Sequence, residues 1–144
     1  MSEARGLNRI APFVALASAL VAALAGWVLT GWALTAGGGM FEPGAPEGVP
    51  RAAVGLAELA SARVTRAATP FFVVAGAHAL AGLATRWLPI TWDAARVTWA
   101  ATLIAFLVAA LLAWPMGAGS LVLFAAIALG PPAIGWSLAW LRAR

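Results

Sequence analysis

The stretch Ile10–Leu34, IAPFVALASALVAALAGWVLTGWAL, decides the fold, because its 25 residues contain no charged side chain. As a helix it would be about 37 Å long, against a bilayer hydrocarbon core of about 30 Å. In lipid every backbone N–H and C=O must be bonded within the segment, so a helix is what such a run can form. Pro12 is read as lying in the first turn, where a missing N–H costs nothing. One face carries Phe13, Leu16, Leu20, Leu24 and Trp27; the opposite face carries Ala15, Ser18, Ala22, Gly26 and Thr30. Bulky side chains suit lipid and small ones admit a close neighbour, so this helix is expected to have a partner.

Three further apolar runs follow. The reading is an all-α integral membrane protein, a four-transmembrane-helix antiparallel bundle forming a single domain over 1–144. Its spans are placed at about 10–34, 67–86, 96–114 and 120–141. Between the first two, Gly37-Gly38-Gly39, Pro43, Pro46 and Pro50 cannot continue a helix, so 36–66 is an extramembrane loop. Within it, Arg51–Arg66 has helical character, either as an interfacial helix or as an extension of the second span bent at Pro70. Pro89 stops that span, and Thr91 or Asp93 can cap the third. Pro115–Gly119 is short enough to make spans three and four antiparallel neighbours. The fourth is read as interrupted and kinked at Gly130-Pro131-Pro132, where Ile127 and Ala128 lose the N–H partners of their carbonyls.

Composition agrees with a lipid solvent. Of 144 residues, 63% are apolar and 10% charged, where soluble domains average roughly 45–50% and about 25%. All nine basic residues are arginines. The pI near 11.7 would suggest nucleic acid in a soluble protein, but these arginines stand at span ends, where they set orientation, and no nucleic-acid partner is expected. Arg5, Arg9, Arg86, Arg96, Arg142 and Arg144 fall on one side and Arg51, Arg63 and Arg66 on the other. Arginine accumulates inside, so both termini are expected in the cytoplasm. The tryptophans sort as an interfacial belt: Trp87, Trp92, Trp99, Trp136 and Trp140 inside, Trp27, Trp32 and Trp114 outside. The first run exceeds the 7–15 residues of a signal-peptide core, so it is read as a retained span. The lack of cysteine excludes disulfides and thiolate sites, and the lack of lysine excludes a Schiff-base cofactor.

His78, the sole histidine, lies mid-way along the second span among Phe71, Ala75, Ala79, Gly82 and Arg86. A polar ring facing lipid is costly, so it must face a neighbour. Three roles fit it: an interhelical hydrogen bond to Ser18, Thr30, Thr102 or a backbone carbonyl; ligation of haem or (bacterio)chlorophyll; or a place in a proton relay or quinone site. The helix-packing set is Ser18, Gly26, Ala75, Ala79 and Gly82. The order Arg63, His78, Gly82, Asp93 is similar to that in the membrane anchors of succinate dehydrogenase and fumarate reductase, in which two chains can each give one haem ligand. The His-Arg-x-Ser-Gly element of some anchors stands here as Asn8-Arg9-Ile10-Ala11-Pro12, most such anchors have three spans, and membership is not assigned.

No Asp, Glu or Arg lies within the hydrocarbon part of a span, no metal-ligand set is recognisable, and Ser120 and Ser137 have no matching base. No catalytic residue is assigned. The expected role is a non-catalytic polytopic subunit or anchor of a larger membrane complex, or else a homo-oligomer, in a bacterial cytoplasmic membrane. The alternatives are a haem- or pigment-linked subunit using His78 and a small homodimeric transporter whose path is lined by the Pro131-Pro132 break.

Overall fold

The computed structural model describes residues 2–34, 62–88, 93–113 and 118–144. Most of the Gly/Pro-rich loop, the Thr91 cap, Trp92, Trp114 and the 115–117 turn lie outside the described residues. The described chain is helical throughout: α1 Ser2–Leu34, α2 Ala62–Ala67, α3 Thr69–Trp87, α4 Ala94–Ala113 and α5 Ala118–Ala143. Three of these, α1, α4 and α5, are long and apolar enough to cross a membrane. The 19-residue α3 has a similar length to α4 but carries His78 and Arg86.

Three of the helices start or stop at identifiable residues. Pro70 sits in the first turn of α3, where its fixed φ suits a helix start. Leu88, before Pro89, is extended at φ −94° and ψ 139°, as the proline ring requires of its predecessor. Asp93 Oδ1 accepts the Ala95 N–H at 3.1 Å, capping α4. Asn8 of α1 supplies a second cap across the fold, its Oδ1 accepting the Ala94 N–H at 3.2 Å. The segment before α3 is a separate short helix, α2, joined to it by a turn at Ala68. Val64 and Ala68 are buried there, and α2 packs on α1.

Two boundaries differ from the sequence reading. α1 begins at Ser2, not Ile10, so Pro12 lies three turns inside the helix. The polar residues before Ile10 include good helix formers, and Leu7 is buried against Ala94, Trp136 and Ala139, which gives the extra turns a packing surface. α5 runs unbroken from Ala118 to Ala143 through both prolines. The interruption expected at Gly130-Pro131-Pro132 is therefore absent from the helix. Pro132 is fully buried on the same face as Ala128, Trp136 and Ala139, so the helix is packed through the proline pair.

α1 lies between α3 and α5, and α4 packs chiefly on α3. At one end, Leu7 and Ala11 of α1, Ala94 of α4, and Trp136 and Ala139 of α5 form a cluster. At the other, Val74 of α3, Ala109 of α4, and Phe124 and Ala128 of α5 form a second, with Phe71 and Phe106 against it. The N-termini of α1 and α4 thus share an end with the C-terminus of α5. The outer faces are apolar: Leu80 is 68% exposed, Leu111 73% and Val122 71%.

Candidate functional site

Between the two apolar clusters, four helices converge on His78. α3 presents Val74, Ala75, His78 and Gly82 on its buried face, and the small residues on either side of the imidazole let α1 come close. A Cβ added to Gly82 would overlap Ala15 of α1, and one added to Gly26 would overlap the Phe71 ring. Ser18 and Ala75 are buried, and Ala79 is half-buried. Thus the five expected packing positions all fall on inward or half-inward faces.

The imidazole is 0% exposed. Its Nδ1 lies 2.5 Å from Thr102 Oγ1 and its Nε2 lies 3.1 Å from Ser18 Oγ. Thr30, the third hydroxyl considered, instead donates to Gly26 O at 2.7 Å. Each hydroxyl beside the ring also has a carbonyl of its own helix within reach. Ser18 Oγ lies 2.6 Å from Val14 O, and Thr102 Oγ1 lies 2.8 Å from Thr98 O. Thr98 repeats the pattern one turn earlier, donating to Ala94 O at 2.8 Å. α4 therefore carries a buried row, Ala94, Thr98 and Thr102, at intervals of four, one above another on a single helical face.

Two indole rings complete the surroundings. Trp99 of α4 and Trp136 of α5 each have ring centroids 6.4 Å from that of His78, at 63° and 86°. Both belong to the interfacial belt that residue type leads one to expect. Trp136 is buried and Trp99 half-buried, whereas Trp32, Trp87 and Trp140 are exposed. Trp136 shares a helical face with Pro132 and Ala139, and that spacing is the signal that places it inside. Its Nε1 is buried and, among the described residues, the only side-chain N or O atom so placed without a hydrogen-bond partner.

Thr98, Trp99 and Trp136 are the members of this site that residue chemistry alone did not identify. Asn8, whose amide caps α4, is another. Gly135 lets α5 approach the same place from the far side, its position 3.4 Å from Val14 Cγ1 and 3.5 Å from Ser18 Cβ when a Cβ is added. Gly130 and Pro131 are half-buried and lie farther along α5. Among the described residues no group of three His, Asp or Glu side chains gathers. The arrangement can hold a proton on either ring nitrogen and can exchange it with a hydroxyl. Compared with known proteins, the chain matches no family model, no curated protein and no solved structure.

Proposed function

We propose that this chain is a four-span integral membrane subunit, both termini cytoplasmic, that serves a larger bacterial inner-membrane assembly as a structural anchor without catalysis of its own. α1, α3, α4 and α5 are its spans, in an antiparallel bundle, and α5 bends at Pro131-Pro132 without breaking. One observation carries the reading: the polar side chains at mid-length are turned inward onto His78, while the outward faces offer apolar side chains. Such a surface has lipid and other apolar helices as its natural partners. A homo-oligomer meets the same requirement.

The arginines support the orientation. Arg5, Arg9, Arg86, Arg96, Arg142 and Arg144 are all exposed and belong to helix ends that the packing gathers on one side. Haem or (bacterio)chlorophyll ligation draws less support, because an iron or magnesium ligand needs a free ring nitrogen and both nitrogens of His78 already face hydroxyls. A homodimeric transporter lined by Pro131-Pro132 is also less well supported, since α5 is continuous there.

Purification from native membranes in a mild detergent, after chemical cross-linking, tests the reading. Stoichiometric co-purification of another membrane protein, or a defined oligomer, is the expected result. A solitary, well-behaved monomer that cross-links to nothing would overturn it. An absorption band in the porphyrin region that vanishes in His78→Ala would replace it with the haem-linked reading.

A further inference from the structure

The hydroxyls beside His78 pose a problem of proton count. A neutral imidazole has one N–H donor and one bare nitrogen acceptor. Ser18 and Thr102 each own a single O–H, and each has a helix carbonyl at 2.6 Å and 2.8 Å to receive it. If both hydroxyls donate to those carbonyls, both present lone pairs to the ring, and a neutral ring can satisfy only one of them. One hydroxyl must then swing away from its helix to donate to the bare nitrogen. A doubly protonated ring removes the conflict: both N–H groups donate, both hydroxyls accept, and both hydroxyl protons stay on Val14 O and Thr98 O. Charge-assisted bonds of this kind are about twice as strong as neutral ones.

The two sides of the ring differ. Toward the arginine-bearing end, polar atoms continue: Thr98 O and Oγ1, Ala94 O, the unpartnered Trp136 Nε1, and then Asn8 Oδ1 at an exposed residue. Toward the opposite end stand Val74, Phe71, Phe106, Ala109 and Phe124, with Phe71–Phe124 and Phe106–Phe124 ring centroids 5.0 Å and 5.3 Å apart. Among the described residues, no other titratable or charged side chain faces the ring from α1, α3, α4 or α5. The described ones, Arg5, Arg9, Arg66, Arg86, Asp93, Arg96, Arg142 and Arg144, stand at helix ends and are exposed, apart from the half-buried Asp93.

We propose that His78, Ser18 and Thr102 form a proton-binding site served from the arginine-bearing end of the helices. A hydronium ion gives its proton to the bare ring nitrogen and leaves as water. The new N–H donates to the hydroxyl that had faced it, and that hydroxyl, keeping its proton, turns its O–H back to donate to its helix carbonyl. Loading the site therefore changes one side-chain bond to the α1 or α4 backbone. Side-chain bonds of this kind can bend a helix, which gives the assembly a response to proton concentration on one side of the membrane. The sidedness rests on the four-span reading; the binding chemistry does not.

Because His78 is the sole histidine, every ring signal from ¹⁵N-histidine-labelled protein is its own. The full chain is reconstituted in sealed liposomes, and cysteines introduced at residues 45 and 144 are labelled first to fix sidedness. Acidifying the compartment that holds the arginine-bearing end is expected to convert both ring nitrogens to N–H, and acidifying the other compartment is not. In detergent, where side is irrelevant, Ser18→Ala and Thr102→Val are each expected to weaken proton affinity by roughly tenfold, with helicity unchanged by circular dichroism. A ring that stays singly protonated while the helices remain folded, or variants that titrate like the parent, would overturn the site. Titration from the loop side alone would overturn the route. Labelling that puts residues 45 and 144 on one side would overturn the four-span reading, leaving the detergent titration to judge the site.

Discussion

Where α1 meets α3, the backbones close on small side chains: Gly82 has no room for a Cβ beside Ala15, nor Gly26 beside Phe71. Where α4 meets α5, rings hold the helices apart, with Phe106 stacked on Phe124 at 5.3 Å and 10° and Trp136 packed beside Trp99 and Ala94. These two helices follow each other in the chain, yet their backbones approach less than those of α1 and α3. In lipid no hydrophobic drive presses helices together, so each seam must be held by contact and by polar bonds. The glycine seam gains contact by excluding volume, and any added atom is a clash. The aromatic seam gains it by filling volume, and any removed ring is a hole. His78 belongs to both, tied to α1 through Ser18 and to α4 through Thr102.

The glycine seam should break hardest. Gly82→Ala is expected to destabilise the protein by about 3 kcal/mol, the upper part of the usual range for overpacking, because the atom met is an Ala15 Cβ that only backbone movement can displace. Gly76→Ala supplies the control. An added Cβ there meets nothing within 4 Å, so helix propensity should make it neutral or stabilising by up to about 1 kcal/mol. Denaturant unfolding in micelles followed by circular dichroism measures both, and equal midpoints for the two variants would remove the distinction between seam and surface.

Loss of a ring from the other seam should cost less. Phe→Ala in a water-soluble core costs about 3–5 kcal/mol. In lipid the transfer part of that cost shrinks, and Phe124→Ala is expected to lose about 2 kcal/mol. Phe124→Leu, which keeps most of the volume, should lose under about 1.5 kcal/mol. If Phe124→Ala proved as damaging as Gly82→Ala, the aromatic seam would be as exacting as the glycine one, and the contrast would fail.

The glycine seam was legible in the sequence, and the aromatic seam was not. The run Ala15, Ser18, Ala22, Gly26 repeats at helical spacing opposite Phe13, Leu16, Leu20 and Leu24, and a stripe of small residues in an apolar helix has few uses other than close packing. His78 was legible as a packed residue for the same kind of reason, since a lone imidazole in lipid needs a partner. Which hydroxyls supply it depends on helix rotation: Thr30 was as plausible as Ser18 from composition, and its side chain is held by Gly26 O. The inward position of Trp136 and Trp99 was not legible, because the preference of tryptophan for headgroups concerns depth in the membrane, whereas burial follows the helical face on which the residue falls. The first turns of α1 were missed because hydropathy marks where lipid begins and not where a helix does. Leu7 and Asn8 extend it by contacts to α4 and α5 that no local pattern announces.

The smallest expected effect tests whether the polar knot joins the two seams or merely sits between them. Thr102→Val keeps the side-chain shape and removes the hydroxyl near Nδ1, and it should destabilise by about 1 kcal/mol, within the range measured for hydrogen bonds between membrane helices. Ser18→Ala should cost about the same. The informative quantity is the double variant. Were the two bonds independent, the costs would simply add. They share one ring, however, and a neutral ring cannot satisfy both hydroxyls while these remain on their own carbonyls. Removing the first hydroxyl therefore relieves part of the conflict, and the second should then change the midpoint by a different amount, with a coupling of about 0.5 kcal/mol or more. Additive costs would mean that Ser18 and Thr102 do not feel each other through His78, and the glycine and aromatic seams would then be two separate contacts.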